Sequence, residues 1–289
     1  MAGAMQYGIK HVSRYLYVSP ARQSVMLLCL QPRDDRGQRL LQFEIKSEPP
    51  AFLSTETDSF GNTRHVLNIH REHESLEITA RSNVQPALVS PLPNGLGADA
   101  WPEIDSWKAS FIHWDFMHSS VLASSSPALD GFVDRNGIKR GDDPLQDLLR
   151  LSDTLHNSFH YVPGSTSVAS PIEHILESGR GVCQDYAHVM IAIARSWGIP
   201  ARYVSGYLHI MGPDGEEVQQ NATHAWVECL LPELGWVGFD PVNKSVSDER
   251  HVRIAVGRDY QDVSPTRGVY RGGGQTRLDV NVQVRDCSA

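Results

Sequence analysis

Cys183, His224 and Asp240 are the residues of this chain whose types and settings suit nucleophilic catalysis. A free cysteine is only a few per cent thiolate at neutral pH, and a helix start or a histidine partner raises that fraction. Cys183 stands in GRGVCQDYAHVMIAIARSWGIP, residues 179–200, where Tyr186, Met190, Ile193 and Trp197 recur at helical spacing and Gly198 with Pro200 supplies a stop. A helix is predicted to begin at or beside Cys183, so unpaired backbone N–H groups and the positive end of its dipole face the sulfur. A lone cysteine beside an apolar helix is more often a small core residue. His224 and Asp240 are what turn the reading toward chemistry.

These two flank Leu231-Pro-Glu-Leu-Gly235, a connection between predicted strands at 223–230 and 236–240. Both lie an even number of positions from Pro232, so if the strands pair across it the side chains share a face as cross-strand neighbours. The carboxylate can then accept from one imidazole nitrogen and leave the other to the thiol. An amide attacked by sulfur becomes an oxyanion, which the Cys183 backbone N–H can bind with one further donor; Tyr161 and Gln184 are the candidates. Trp226 shares the His224 face, either shielding the site from water or filling the sheet's core. His188, about 140° round the helix from Cys183, cannot meet the thiol. Asp185 suits the helix start, and Cys229 faces the other side of its strand.

The elements that must position these residues are legible in outline. From residue 7 to 89, short β-like runs alternate with turn chemistry (Pro32 to Gly37, Asp58 to Asn62), which predicts a β-sandwich over residues 1–95. His65, His70 and His73 lie close in sequence, but no carboxylate or cysteine pattern completes a metal site. Residues 96–141 read as a connecting segment with short helices. From 142 to 289 helices come first: Asp143 caps with Pro144 behind it, Ser170-Pro-Ile-Glu173 offers a capping box, and Gly179 closes a second helix. Strands follow at 203–210, 223–230 and 236–240, with a turn at Pro213-Asp-Gly215. The overall class is α+β, with the cysteine helix packed on an antiparallel sheet.

A net charge of −8 and a pI near 5.9 give no basic stripe, so neither nucleic acid nor membrane is an expected partner. Cys29, Cys183, Cys229 and Cys287 are widely spaced with no CxxC pair, which suits a reducing cytoplasm better than a disulfide framework. No signal-peptide layout and no long apolar run are visible, so a soluble cytoplasmic protein is expected. No metal or other cofactor is implied, and assembly into a homo-oligomer is left open.

Gly181-Val-Cys-Gln-Asp-Tyr-Ala-His188, Ile199-Pro-Ala-Arg-Tyr-Val-Ser-Gly-Tyr207, Thr223-His-Ala-Trp-Val-Glu228 and Gly238-Phe-Asp-Pro241 together resemble the bacterial transglutaminase-like family. Phe159-His-Tyr161 and Gly164-Ser-Thr166 resemble that family's lead-in to its cysteine. Tyr15, Tyr17, Gln31-Pro-Arg33 and Asp58 to Asn62 are similar to the β-rich region fused in front of it. The resemblance implies a papain-like core with Cys183 as nucleophile, His224 as base and Asp240 as orienting carboxylate. It also implies an activity among transglutaminases, deamidases, peptidases and inactive relatives. The chain departs from animal transglutaminases in lacking their further β domains, an acidic D-x-[DN]-x-[DN]-G loop, and a tryptophan before Cys183 to take the oxyanion-stabilising place.

The chemistry predicted is a Cys183 acyl-enzyme formed on the amide of a peptide or protein substrate. Hydrolysis of a peptide or isopeptide is the first expectation, since water is present at roughly 55 M and amine transfer needs a site that excludes it. Transfer to an amine, or deamidation, is the same-chemistry alternative. A non-catalytic binding module on the same fold is the alternative of another class.

Overall fold

In the computed structural model, residues 5–35, 37–212, 216–272 and 274–288 are described. The turn predicted at 213–215 lies outside them. Strand β1 (Tyr7–Leu28) buries alternate residues along its first half and is followed by β2 (Gln38–Glu48), β3 (Phe52–Thr57), β4 (Thr63–Ile69) and β5 (His73–Pro86). Early β1 pairs with β5, Tyr7 opposite Val84, and late β1 with β4, Met26 opposite Leu67. The register breaks between Leu16 and Ala21, beside Pro20, which has no N–H for a ladder. One strand thereby serves both halves of the domain. Tyr17, Met26, Leu67, Leu76 and Ile78 make the core between them. The expected sandwich is a single curled sheet, folded over along its longest strand.

The connecting segment carries α1 (Ala100–Ser106), α2 (Trp114–Met117) and α3 (Pro127–Arg135). Then come α4 (Pro144–Ser158), β6 (His160–Tyr161), α5 (Ile172–Ser178), β7 (Arg180–Gly181) and α6 (Cys183–Ser196). Asp143 caps α4 as predicted, accepting the Gln146 N–H at 2.9 Å. The capping box at Ser170 is not made: α5 starts after Pro171, and the Ser170 hydroxyl accepts from the Ser167 N–H within its own turn. Gly179 closes α5 with φ 67°, the left-handed conformation glycine adopts freely. The stripe read on α6 understates its burial, since every residue from Gln184 to Arg195 is buried. Arg195 survives there because its guanidinium donates to the carbonyls of Phe116, His118, Ala201 and Arg258, which pins the connecting segment to the helix.

After α6 run β8 (Ala201–Leu208), β9 (His224–Leu231), β10 (Gly235–Asp240), β11 (Ser245–Val246), β12 (His251–Gly257), α7 (Tyr260–Val263), β13 (Thr266–Gly272) and β14 (Thr276–Asp286). The second sheet has the order β11-β10-β9-β8-β12. Ala225, Val227 and Cys229 face α6 in the main core, and Trp226 lies on the other face with Val204, Val256 and Phe60.

Two features revise the domain reading of 142–289. First, β13 and β14 pair with β1, along its late and early halves, so the chain's last strands complete the N-terminal sheet. Second, that domain closes the exposed edge of β12 with side-chain amides. Asn62 donates to the Val256 carbonyl (2.7 Å) and accepts its N–H (2.9 Å), and Gln38 does the same at Arg253 (2.8 Å each). Asp58 and Arg33 hold Asn62 in place. Gln38, at the start of β2, and Asn62, in the turn at 58–62, thus substitute for a neighbouring strand. His65, His70 and His73 go separate ways: His65 stacks on Phe43, His70 bonds Gln23, and His73 bonds Ser24.

Candidate active site

The cysteine is delivered by short local pairings. His160–Tyr161 runs parallel to Arg180–Gly181, and the Val162 N–H donates to the Gly181 carbonyl at 2.9 Å. Asp185, at the third helical position, accepts from the Val182 N–H (2.7 Å) and the Thr166 hydroxyl (2.6 Å). That bond satisfies one of the unpaired donors at the start of α6 and ties the lead-in loop to it. Cys183 is the first helical residue and is partly exposed.

His224 opens β9, opposite Gly206 of β8. Its Nε2 lies 2.7 Å from Asp240 Oδ2, so the imidazole donates there and Nδ1 is the nitrogen left for the thiol. Phe239 pairs with Val227, so Asp240 lies diagonal to His224 rather than directly across. The two share a face, as their even spacing required, but the hairpin is centred near Glu233, where φ is 62°, and not at Pro232. Asp240 is fully buried and saturated. Its Oδ1 accepts the Val242 and Asn243 N–H groups at 3.1 and 3.2 Å, and its Oδ2 accepts the Asn243 side chain at 2.7 Å. A second imidazole, His251 Nε2, sits 3.3 Å from the same oxygen.

Charge follows from this geometry. Burial disfavours the His224 cation, but hydrogen bonds with Asp240 and Cys183 more than reverse that and raise its pKa to about 10. Burial also opposes the Asp240 anion, yet its bonds with His224 and His251 hold it far below the usual carboxylate range. A raised imidazole pKa means the cation persists below about 10 and is lost above it. Activity that needs the imidazolium as proton donor is therefore expected to hold through neutral pH and fall as pH passes about 10. A pH–rate profile of amide cleavage checks this; a fall near the ordinary imidazole range would show that His224 is not paired.

The remaining candidates divide. Tyr161 is half exposed, and burial followed by the charge of Cys183 raises its phenol pKa, so it lies within electrostatic reach of the sulfur. Gln184 donates an amide N–H to the Ser167 carbonyl at 2.7 Å, which ties it to the lead-in loop. Trp226 is fully buried and stacks on His224 with ring centroids 6.0 Å apart, backing the imidazole from within the sheet. His188 faces away and accepts the Tyr260 N–H. Burial pushes the thiols of Cys29, to about 12, and Cys229 upward.

Sequence reasoning missed His251. Its contact with Asp240 brings edge strand β12 to β10, with β9 and β8 between them in the sheet order, and no local spacing signals such a contact. His224, Asp240 and His251 are, among the described residues, the one cluster with metal-ligand atom types. Their close approach is that of a hydrogen-bond network, since Asp240 Oδ2 already faces three donors.

Residues 133–241 match the model of the transglutaminase-like superfamily, and residues 7–85 that of the bacterial transglutaminase-like N-terminal region. The chain belongs to the transglutaminase-like superfamily. Among curated relatives, an uncharacterized Mycobacterium tuberculosis protein, Rv2569c, is 32% identical over 98% of this chain and 94% of its own length. A Pseudomonas aeruginosa protein named protein-glutamine gamma-glutamyltransferase is 37% identical over 33% of this chain and 15% of its own. Among solved structures, "a Putative Cysteine Protease from Cytophaga hutchinsonii" superposes with a TM-score of 0.74 over all of this chain and 92% of that one, at 20% identity. That likeness shows a shared fold across both domains.

Proposed function

We propose that this transglutaminase-like protein is a thiol enzyme that cleaves amide bonds of peptides or proteins through a Cys183 acyl-enzyme, with water as the final acceptor. The observation that carries the reading is His224, held by Asp240 through Nε2 at 2.7 Å so that Nδ1 is left for Cys183, whose interaction with the imidazole helps to raise its pKa. The thiolate attacks the carbonyl carbon and the π pair moves to oxygen, where the Cys183 N–H at the helix start, with Tyr161 as candidate partner, receives it. As the tetrahedral intermediate collapses, the C–N bond breaks and His224 gives its proton to the departing amine. Water then attacks the thioester carbonyl, His224 takes a proton from it, and the C–S bond breaks to release the acid and restore the thiolate. Asp240 keeps its charge throughout and fixes the imidazole. The cytoplasm is the proposed compartment, because four free thiols persist there. No helix among the described residues is long and apolar enough to cross a membrane.

The thioester is the common precursor of hydrolysis and amine transfer, so the acceptor decides the product. With a single amide substrate and a primary amine at about 10 mM, water is in several-thousand-fold excess, and free acid is expected to predominate. The ratio of acid to new amide as amine rises, with Cys183→Ala as blank, is the measurement. Amide dominating at low millimolar amine would overturn the hydrolytic reading and make this a transamidase.

A further inference from the structure

The carboxylate that orients His224 carries a second imidazole that the acyl transfer above does not use. His251, the first residue of β12, has a side chain only 2% exposed and reaches Asp240 Oδ2 from 3.3 Å. Its Nδ1 accepts the Asp248 backbone N–H at 3.1 Å, which leaves the neutral ring's proton on Nε2, the atom facing Asp240. The Asp248 carboxylate lies 3.1 Å from the same Nδ1, so a second proton taken up there finds its partner in place. An edge contact with Trp226 at 5.2 Å, and that indole's stacking on His224, hold both rings.

We propose that His251 is a positioning residue that acts through Asp240 and couples the reactivity of the Cys183–His224 pair to its own protonation. Neutral, it donates to Oδ2 and fixes the carboxylate against His224. Protonated, it places a positive charge whose ring centroid is 6.3 Å from that of His224, which opposes the imidazolium and returns its proton to the thiolate. The charged groups around the ring are Asp240 from β10, His224 from β9, and Asp248 with Arg250 from the turn before β12; Glu228 and Arg253 line the same cavity. Glu228 is bound by Arg202 and Arg253, and Arg250 by Asp248, so Asp240, Asp248 and His224 set the balance.

The inference rests on the thiol–imidazole reading, and its test separates the two. The rate of Cys183 alkylation by iodoacetamide, read peptide by peptide from about pH 4 to about pH 9, needs no substrate. The wild-type rate is expected to fall on the acid side over a two-proton limb. In His251→Gln, whose amide can reach Oδ2 but cannot ionise, a one-proton limb shifted down by about one pH unit is expected, with the rate at about pH 9 within about threefold of wild type. His251→Leu, which leaves Oδ2 short of a donor, is expected to lose about tenfold in that rate. Should the Gln variant fail to fold, His251→Asn, also unable to ionise, carries the same comparison. Profiles that superimpose on wild type after scaling by one factor at every pH would show a merely structural role and overturn the proposal. If wild-type Cys183 reacts no faster at acid pH than the exposed Cys287, it is the thiol–imidazole reading that fails.

Discussion

Asp240→Asn is expected to lower the acylation rate by roughly 10²- to 10⁴-fold. The structure shows why an isosteric change has so large an effect here. Oδ1 is held by two backbone N–H groups, so an asparagine would keep its oxygen there and turn its NH₂ toward the site of Oδ2. That position already faces donors from His224, His251 and Asn243. His224 can relieve the conflict by becoming an acceptor at Nε2, which moves its proton to Nδ1 and leaves it unable to take one from the thiol. The opposed donors also destabilise the fold, by about 3 kcal/mol. Single-turnover acylation with a chromogenic amide, beside thermal unfolding, measures both. An unchanged rate in a folded variant would remove Asp240 from the mechanism.

Gly206→Ala is expected to damage fold and site together, although it adds one methyl group. Gly206 pairs with His224 across β8 and β9, and the Trp226 ring lies against it. A Cβ there would fall on the ring carbons of Trp226 and on the Val252 carbonyl oxygen, closer than heavy atoms approach. Neither neighbour is the free end of a flexible chain: the indole is fully buried and the carbonyl belongs to β12. Either β12 moves out, pulling against Asn62 and Gln38, or Trp226 moves and takes the stacked His224 with it. A loss of about 3 kcal/mol, seen as a fall of roughly 10 °C in Tm, is expected with at least tenfold slower acylation. Wild-type values for both would mean that this sheet face tolerates expansion and that Trp226 does not fix the imidazole.

Much of the site was readable because its causes are local. Gly179, the polar helix start and the apolar run to Trp197 specify where α6 begins, and with it the exposure of Cys183. The two-residue period of a strand puts His224 and Asp240 on one face for any hairpin centred on a residue rather than between two, as this one is. Their diagonal offset was not readable, because it depends on where the connection turns, and the positive φ of Glu233 rather than Pro232 settles that. The bond of Gln184 to the Ser167 carbonyl was not readable, since that carbonyl lies on a loop that runs alongside the paired β6 and β7.

The amino-acid order thus determined the candidate groups and the elements that present them: a thiol at a helix start, an imidazole opening a strand, and a carboxylate ending the next. Tertiary structure alone decided what surrounds them. It brought His251 across a curved sheet to the back of Asp240, returned β13 and β14 to the N-terminal sheet, and set Asn62 and Gln38 on the edge of β12. Each of these joins residues of different strands through hydrogen bonds, eleven positions apart at His251 and Asp240 and far more at the others, and periodicity and turn chemistry report only a residue's near neighbours. The curvature and closure of the two sheets exist only once the whole chain has packed.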